Sequence, residues 1–129
     1  MALKLLSVVG TRPEAIKMAM VIRELAEYPQ QIRSSVCVTA QHRQMLDQVL
    51  DLFAIRPDYD LDMMEEHQTL TQVTVSLLSR LQDVLVREWP DWMLVQGDTT
   101  TVLAGSLAAF YQRVPVGHKV DHSGYRPSA

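Results

Sequence analysis

Polar and charged residues follow directly after apolar runs in four short segments, at 10–14, 39–43, 96–100 and from 118 onward. The first, Gly10-Thr11-Arg12-Pro13-Glu14, joins a strand-like run to a helix start, where free N–H groups and the helix dipole favour an anion. Gly10 lets a ligand come close to the backbone, Arg12 could fork onto phosphate oxygens, and Lys17 adds a second positive charge one turn later. Pro13 suits the first helical position, and Glu14 in the first turn complements the helix dipole. A glycine turn, a threonine cap and two solvated cations would also explain these residues, because the glycine spacing is not the dinucleotide-binding fingerprint.

A second polar segment, Gly97-Asp98-Thr99-Thr100-Thr101, opens another predicted helix. Asp98 is a good N-cap residue, and capping alone would account for it. Three threonines at a helix start are unfavourable because β-branched side chains lose rotamer freedom there, which hints that their hydroxyls make contacts. A carboxylate at the positive end of a helix is normally held ionised, so Asp98 would suit a base or an acceptor for a sugar hydroxyl.

The histidines and the single cysteine bear on other kinds of site. His118 is a site candidate because it ends a predicted strand, whereas His42 is read as a surface residue at a helix start, and His67 and His122 lie in polar loops. No Cys/His spacing suits zinc, so no metal site is predicted. No Gly-x-Ser-x-Gly elbow is present, and Cys37 lies in mid-strand as a core residue.

Alternating strand-like and helix-like segments must position these residues. Apolar runs predict strands at 3–9, 32–38, 92–95 and 114–118, with a brief extended piece at 59–61. Three- and four-residue spacing of apolar side chains predicts helices at about 13–27, 45–53, 70–85 and 99–111. This order implies a Rossmann-like, three-layer α/β fold, with a parallel sheet covered by helices on both faces. Ligands bind such sheets outside the carboxyl ends of the strands.

Length and composition bound the remaining possibilities. The chain has 129 residues, is 47% apolar and carries a net charge of −3, which fits one globular domain. Mild acidity without a basic stripe argues against a nucleic-acid partner. No run approaches the ~18 apolar residues of a membrane span. The N-terminus lacks the pattern of a signal peptide, and one cysteine suits a reducing compartment, so a cytoplasmic location is expected.

Several motifs together resemble one family, the non-hydrolysing UDP-N-acetylglucosamine 2-epimerases. The segment from Gly10 to Met18, Gly-Thr-Arg-Pro-Glu-Ala-Ile-Lys-Met, resembles the N-terminal signature of that family. The likeness continues at residues 38–50, 97–101 and 106–111, and it ends at Pro115-Val116-Gly117-His118. It therefore covers roughly residues 3 to 118 of the chain.

The resemblance implies a detailed function. Members have the glycosyltransferase B architecture, with two Rossmann-like domains and an active site in the cleft between them. They interconvert UDP-N-acetylglucosamine and UDP-N-acetylmannosamine for bacterial surface polysaccharide, by anti elimination of UDP and re-addition through 2-acetamidoglucal. Neither a metal nor a nicotinamide cofactor is required, and members are usually homodimers. Many bacterial members are activated by a second UDP-N-acetylglucosamine, and Gln41 and Gln44 match the segment that holds it.

The resemblance also implies roles for four further residues. Arg12 and Lys17 match residues that would bind the substrate and stabilise the diphosphate as UDP departs. Asp98 matches the aspartate that would serve in acid–base chemistry at the sugar. His118, in the last matching motif, is expected to contact the substrate.

The chain departs from the family after His118. There the family continues Val-Glu-Ala-Gly-Leu-Arg, whereas this sequence reads Lys119-Val120-Asp121-His122 and ends at Ala129. The resemblance thus divides the chain into an incomplete epimerase domain, 1–118, and a divergent tail, 119–129. It implies a truncated or frameshifted copy, or a fragment of a gene model, that is inactive alone. The alternatives are a non-catalytic module that binds a nucleotide-sugar or pairs with another chain and, more remotely, a nucleotide-binding module of another doubly wound family.

Overall fold

A computed structural model describes residues 2–39, 43–63 and 68–119 of the chain. Helices and strands alternate in the order β1 Leu3–Val9, α1 Arg12–Ala26, β2 Ile32–Val38, α2 Arg43–Leu52, β3 Tyr59–Asp60, α3 Leu70–Glu88, β4 Trp92–Gln96, α4 Thr100–Tyr111 and β5 Val116–Lys119. The predicted elements are confirmed, and their ends differ from the prediction by at most three residues. The last strand includes Lys119, the first residue assigned to the divergent tail, and the tail from 120 onward lies outside the described residues.

The five strands form one parallel sheet in the order β3-β2-β1-β4-β5. The chain moves from β1 outward to β3 and then returns to β4 on the other side of β1. The direction of winding therefore reverses between β1 and β4, and a crevice at the carboxyl ends of these two strands is the usual ligand site of such folds. The segments after β1 and β4 are the ones that begin at Gly10 and Gly97.

Helices cover both faces of the sheet, as the sequence predicts for a three-layer fold. On one face Leu6 and Val8 of β1 pack with α3 and α4, in a core that also contains Cys37. On the other face Val9 packs with α1 and α2. Burial raises the pKa of the Cys37 thiol to about 12, with a smaller contribution from Asp60, which fits its predicted place in the core.

Capping residues and prolines in the sequence predict where the helices start, to within one or two residues. Helix α1 has Thr11 as its N-cap, and its first residue is Arg12, so Pro13 occupies the second helical position instead of the predicted first. Helix α3 begins with a capping box, in which Thr69 and Gln72 each accept a hydrogen bond from the other's backbone N–H. None of the helices in the described ranges is long and apolar enough to cross a bilayer.

Candidate functional site

At the start of α1, several hydrogen-bond donors and acceptors are paired with one another. The Thr11 hydroxyl accepts from the Glu14 N–H at 3.4 Å, and the Glu14 carboxylate accepts from the Gly10 N–H and from the Thr11 hydroxyl, each at 3.2 Å. Pro13 has no N–H to offer. The predicted anion site therefore rests on the backbone amides of Thr11 and Arg12 and on the exposed guanidinium of Arg12.

Glu14 also connects this loop to the loop after β4. The Thr99 hydroxyl donates to the Glu14 carboxylate, at 3.1 Å to Oε2 and 3.3 Å to Oε1. Only 2% of Glu14 is exposed. Burial raises the pKa of this carboxyl group, and the hydrogen bonds from Thr99, Gly10 and Thr11 partly oppose the rise. Sequence reasoning assigned Glu14 only to the helix dipole, because the sequence contains no sign that a residue 85 positions away would bond to it.

Gly10 is packed against two side chains, one from the segment after β2 and one from the first turn of α4. A Cβ at this position would lie 2.3 Å from Thr101 Oγ1 and 2.4 Å from Thr39 Oγ1. These two buried hydroxyls share a hydrogen bond of 3.1 Å. The sequence interpretation that Gly10 lets a ligand approach the backbone is therefore incomplete, because on its Cβ side the space belongs to the segments after β2 and β4.

Asp98 lies one residue before the N-cap of the helix that it was predicted to cap. Thr99 is the N-cap of α4, with φ −79° and ψ 171°, and its carbonyl accepts the first helical bond from Leu103. The capping prediction for Asp98 is wrong, because α4 begins at Thr100, one residue later than predicted, after a turn in which Gly97 has a φ of +86°. Asp98 is consequently exposed at the carboxyl edge of the sheet.

The hydroxyls of two of the three threonines do make contacts, as the sequence predicts, and their partners are side chains of this protein. Thr99 donates to Glu14, and Thr101 bonds to Thr39. The cost of placing β-branched residues at this helix start is thus offset by ties between loops.

The end of β5 contacts helix α1 and the loop after β4. His118 Nε2 bonds to the carbonyl oxygen of Gly97, and since a carbonyl only accepts, Nε2 carries the proton. Lys119 Nζ donates to the Lys17 carbonyl oxygen at 2.8 Å, and the Gly97 N–H donates to the Lys119 carbonyl at 3.2 Å. These contacts tie His118 and the α1 turn that carries Lys17 to the carboxyl edge of the sheet.

The two residues assigned to a second, activating ligand belong to the segment after β2. Gln44 is exposed in the first turn of α2. Gln41 lies outside the described residues. Within the described ranges no group of three or more His, Cys, Asp or Glu residues could hold a metal ion.

The fold and the polar edge at the reversal point define a doubly wound α/β domain of the kind that binds nucleotides and related ligands at this position. The chain belongs to the UDP-N-acetylglucosamine 2-epimerase family, whose family model matches residues 23–126. The predicted family resemblance is therefore confirmed.

Individual relatives agree with this assignment. The UDP-N-acetylglucosamine 2-epimerases of Neisseria meningitidis and of Escherichia coli K12 are each 60% identical over 116 residues, which is 90% of this chain and 31% of theirs. The crystal structure of the Neisseria meningitidis enzyme bound to UDP-GlcNAc is 59% identical, with a TM-score of 0.86, over 90% of this chain and 31% of that one.

A more distant structure has the same fold. The Methanocaldococcus jannaschii enzyme in complex with UDP-GlcNAc and UDP is 34% identical, with a TM-score of 0.82, over 90% of this chain and 32% of that one. The Rossmann-like fold prediction is confirmed by these neighbours. The chain spans about a third of the length of the relatives it matches.

Proposed function

We propose that this chain forms the N-terminal, diphosphate- and sugar-facing part of a UDP-N-acetylglucosamine 2-epimerase. The full reaction interconverts UDP-N-acetylglucosamine and UDP-N-acetylmannosamine, by anti elimination of UDP and re-addition through 2-acetamidoglucal, for bacterial surface polysaccharide. The single observation that carries the proposal is the bond between Glu14 and Thr99, because it joins the loop of Arg12 to the loop of Asp98 at the reversal point of the sheet.

Each candidate residue has a role that its chemistry suits. Arg12 and Lys17 bind the diphosphate and stabilise the charge that develops on it as UDP departs. Asp98, exposed beyond the end of β4, exchanges a proton with the sugar. His118 contacts the substrate from the end of β5, with its Nε2 proton directed to Gly97.

Further parts of the proposal concern the whole protein. The enzyme acts in the cytoplasm as a homodimer, and a second UDP-N-acetylglucosamine at Gln41 and Gln44 activates it by favouring the closed cleft. We expect the 129-residue chain to be inactive by itself, because its sequence after His118 reads Lys119-Val120-Asp121 where the family has Val-Glu-Ala-Gly-Leu-Arg.

Titration of the isotope-labelled chain with UDP-N-acetylglucosamine tests the binding role. We expect the amide signals of Arg12 and Asp98 to shift together at millimolar ligand. Arg12→Ala should weaken binding about tenfold or more, since a hydrogen bond to a charged group contributes roughly 1.5–3 kcal/mol. Arg56→Ala, which removes an exposed arginine from the α2–β3 connection, is the matched control and should bind normally.

The same preparation tests inactivity. Incubation with UDP-N-acetylglucosamine should release no UDP and form neither glucal nor epimer. Turnover by the purified chain would contradict the expected inactivity, and a flat titration of the wild-type chain would contradict the binding role.

A chain-pairing module is the second candidate function, and the outer surface of α4 favours it. Leu103 is 62% exposed and Phe110 74%, on a helix that also buries its opposite side in the core. Helices that are apolar on all sides are usually covered, and exposed apolar patches mark contact surfaces. Sedimentation of the chain should then reveal self-association that Phe110→Glu abolishes, while a monomeric wild-type chain would exclude pairing with its own copy.

A further inference from the structure

One buried carboxylate holds two loops together at the proposed binding edge. Glu14 Oε1 accepts from the Gly10 N–H and the Thr11 hydroxyl of the first loop, and both carboxylate oxygens accept from the Thr99 hydroxyl of the second loop. Its side chain lies inside the domain, with 2% of the residue exposed. Glu14 therefore contacts both loops of the proposed site from the interior of the domain.

The bonded residues are the immediate chain neighbours of the residues proposed to meet the ligand. Arg12 follows Thr11, and Asp98 precedes Thr99. Both Arg12 and Asp98 are exposed, so their own side chains are not fixed by packing. The spacing between the backbones of Arg12 and Asp98 is consequently set by the backbone positions of Thr11 and Thr99.

Burying a carboxylate beside an anion site is costly, and packing alone does not require it. An apolar side chain of similar size would fill the same space without desolvating a charge. It would also leave the Gly10 N–H and two hydroxyls without their acceptor, and the loops would lose the bond that joins them. The carboxylate thus has a use in aligning the loops that a purely apolar contact would not supply.

The geometry assigns Glu14 and Thr99 as positioning residues, whose cross-loop hydrogen bond sets the spacing between Arg12 and Asp98 for one nucleotide-sugar. This inference rests on the proposed function, because it concerns how that same site is aligned. Neither residue needs to touch the ligand.

Thr99→Val breaks the bond between the loops while keeping the shape of the side chain and the bonds within the first loop. Titration with UDP-N-acetylglucosamine, followed by the Arg12 and Asp98 amide signals, should give an affinity about three- to tenfold weaker than that of the wild-type chain. The response at Asp98 should fall more than the response at Arg12, because the first loop keeps its own bonds to Glu14. A merely structural role would weaken both responses equally.

Two further variants complete the test. Thr74→Val removes a helical threonine hydroxyl that bonds to the Leu70 carbonyl, and it should bind the ligand like the wild-type chain. Glu14→Gln should bind within about twofold of wild type, since its amide oxygen accepts from the first loop and its amide nitrogen donates to the Thr99 hydroxyl. Melting curves establish that every variant is folded.

The outcomes separate the two proposals. A wild-type chain that binds the ligand, together with a folded Thr99→Val variant that binds equally well, would overturn the positioning role and leave the proposed function standing. A wild-type chain with no shift at Arg12 or Asp98 would overturn the proposed function, and the positioning role with it.

Discussion

Two carboxylates tie elements together at opposite ends of the sheet, and their surroundings differ. Glu14 is buried at the carboxyl edge, where it accepts hydroxyl bonds from Thr11 and Thr99. Glu88, at the end of α3, is half-buried and accepts from the hydroxyls of Tyr59, at 2.6 Å, and Ser35, at 2.7 Å. Each carboxylate accepts hydrogen bonds from two hydroxyl groups, but solvent reaches Glu88 and does not reach Glu14.

The pKa values of the two groups move in opposite directions for this reason. At Glu14 burial dominates and raises the pKa of the carboxyl group. At Glu88 burial alone would also raise the pKa, but the hydrogen bonds from Tyr59 and Ser35, with Lys4 and Arg33 nearby, lower it. The cost of burying the charge therefore prevails at Glu14, at the proposed site, whereas at Glu88 the hydrogen bonds and the nearby cations together outweigh that cost.

Replacement of Gly10 should destabilise the fold at the carboxyl edge of the sheet. In Gly10→Ala the new Cβ meets two hydroxyl oxygens at 2.3 and 2.4 Å, so the loops must separate. We expect the free energy of unfolding, measured with urea, to fall by about 1–3 kcal/mol, as for overpacking elsewhere.

Gly105→Ala is the matched control for this change. There the nearest atom to a new Cβ is the flexible end of Met93, at 3.3 Å, in the interior of α4. Helix propensity favours alanine over glycine by about 1 kcal/mol, so little or no loss of stability is expected. Equal losses in the two variants would contradict the close packing of the three loops around Gly10.

The hydrogen bonds of the two carboxylates can be compared directly by removing one hydroxyl donor from each. Thr99→Val leaves a buried carboxylate with one donor fewer and should lower the free energy of unfolding by about 1–3 kcal/mol. Tyr59→Phe should cost less, about 0.5–1.5 kcal/mol, because water reaches Glu88 and replaces the lost donor. Chemical unfolding of both variants measures the difference, and a larger loss in Tyr59→Phe would show that burial is not what separates the two ends.

The smallest expected effect is in the pH dependence of stability. Because the pKa of Glu14 is raised, the folded chain binds this proton more readily than the unfolded chain does. Acidification from neutral pH towards the ordinary value of 4.5 should therefore increase the stability of the wild-type chain relative to Glu14→Gln.

The sign is reversed for Glu88. Its lowered pKa contributes stability above 4.5 that is lost as the pH falls below that value. Urea unfolding across this range should show the advantage of the wild-type chain over Glu88→Gln shrinking in acid. The same slope for both pairs would contradict the contrast between the two ends.

Much of the candidate site could be located from the sequence because its residues follow directly after predicted strands. In a parallel sheet every carboxyl end lies at one edge, so Arg12, Asp98 and His118 had to share that edge once the strands were identified. Residue types also predicted the threonine contacts, since β-branched residues at the start of α4 are unfavourable without a compensating bond.

Other features depended on neighbours that are distant in the chain. The capping assignment of Asp98 failed because the N-cap of α4 is Thr99, whose hydroxyl bonds to the distant Glu14. The burial of Glu14 was missed because a glutamate in the first turn of a helix is ordinarily a solvated partner of the dipole. Only the approach of Thr99 from the loop after β4 turns it into an interior group.

The amino-acid sequence by itself determined the order of strands and helices, the edge at which polar residues gather and the family, since apolar periodicity and short motifs are local properties of the chain. The tertiary structure alone decided which loops touch, why residue 10 must lack a side chain and which carboxylate is buried. The physical reason is that desolvation and close contact depend on atoms brought together by folding, and residues 14, 39, 99 and 101 meet only after β1, β2 and β4 have paired.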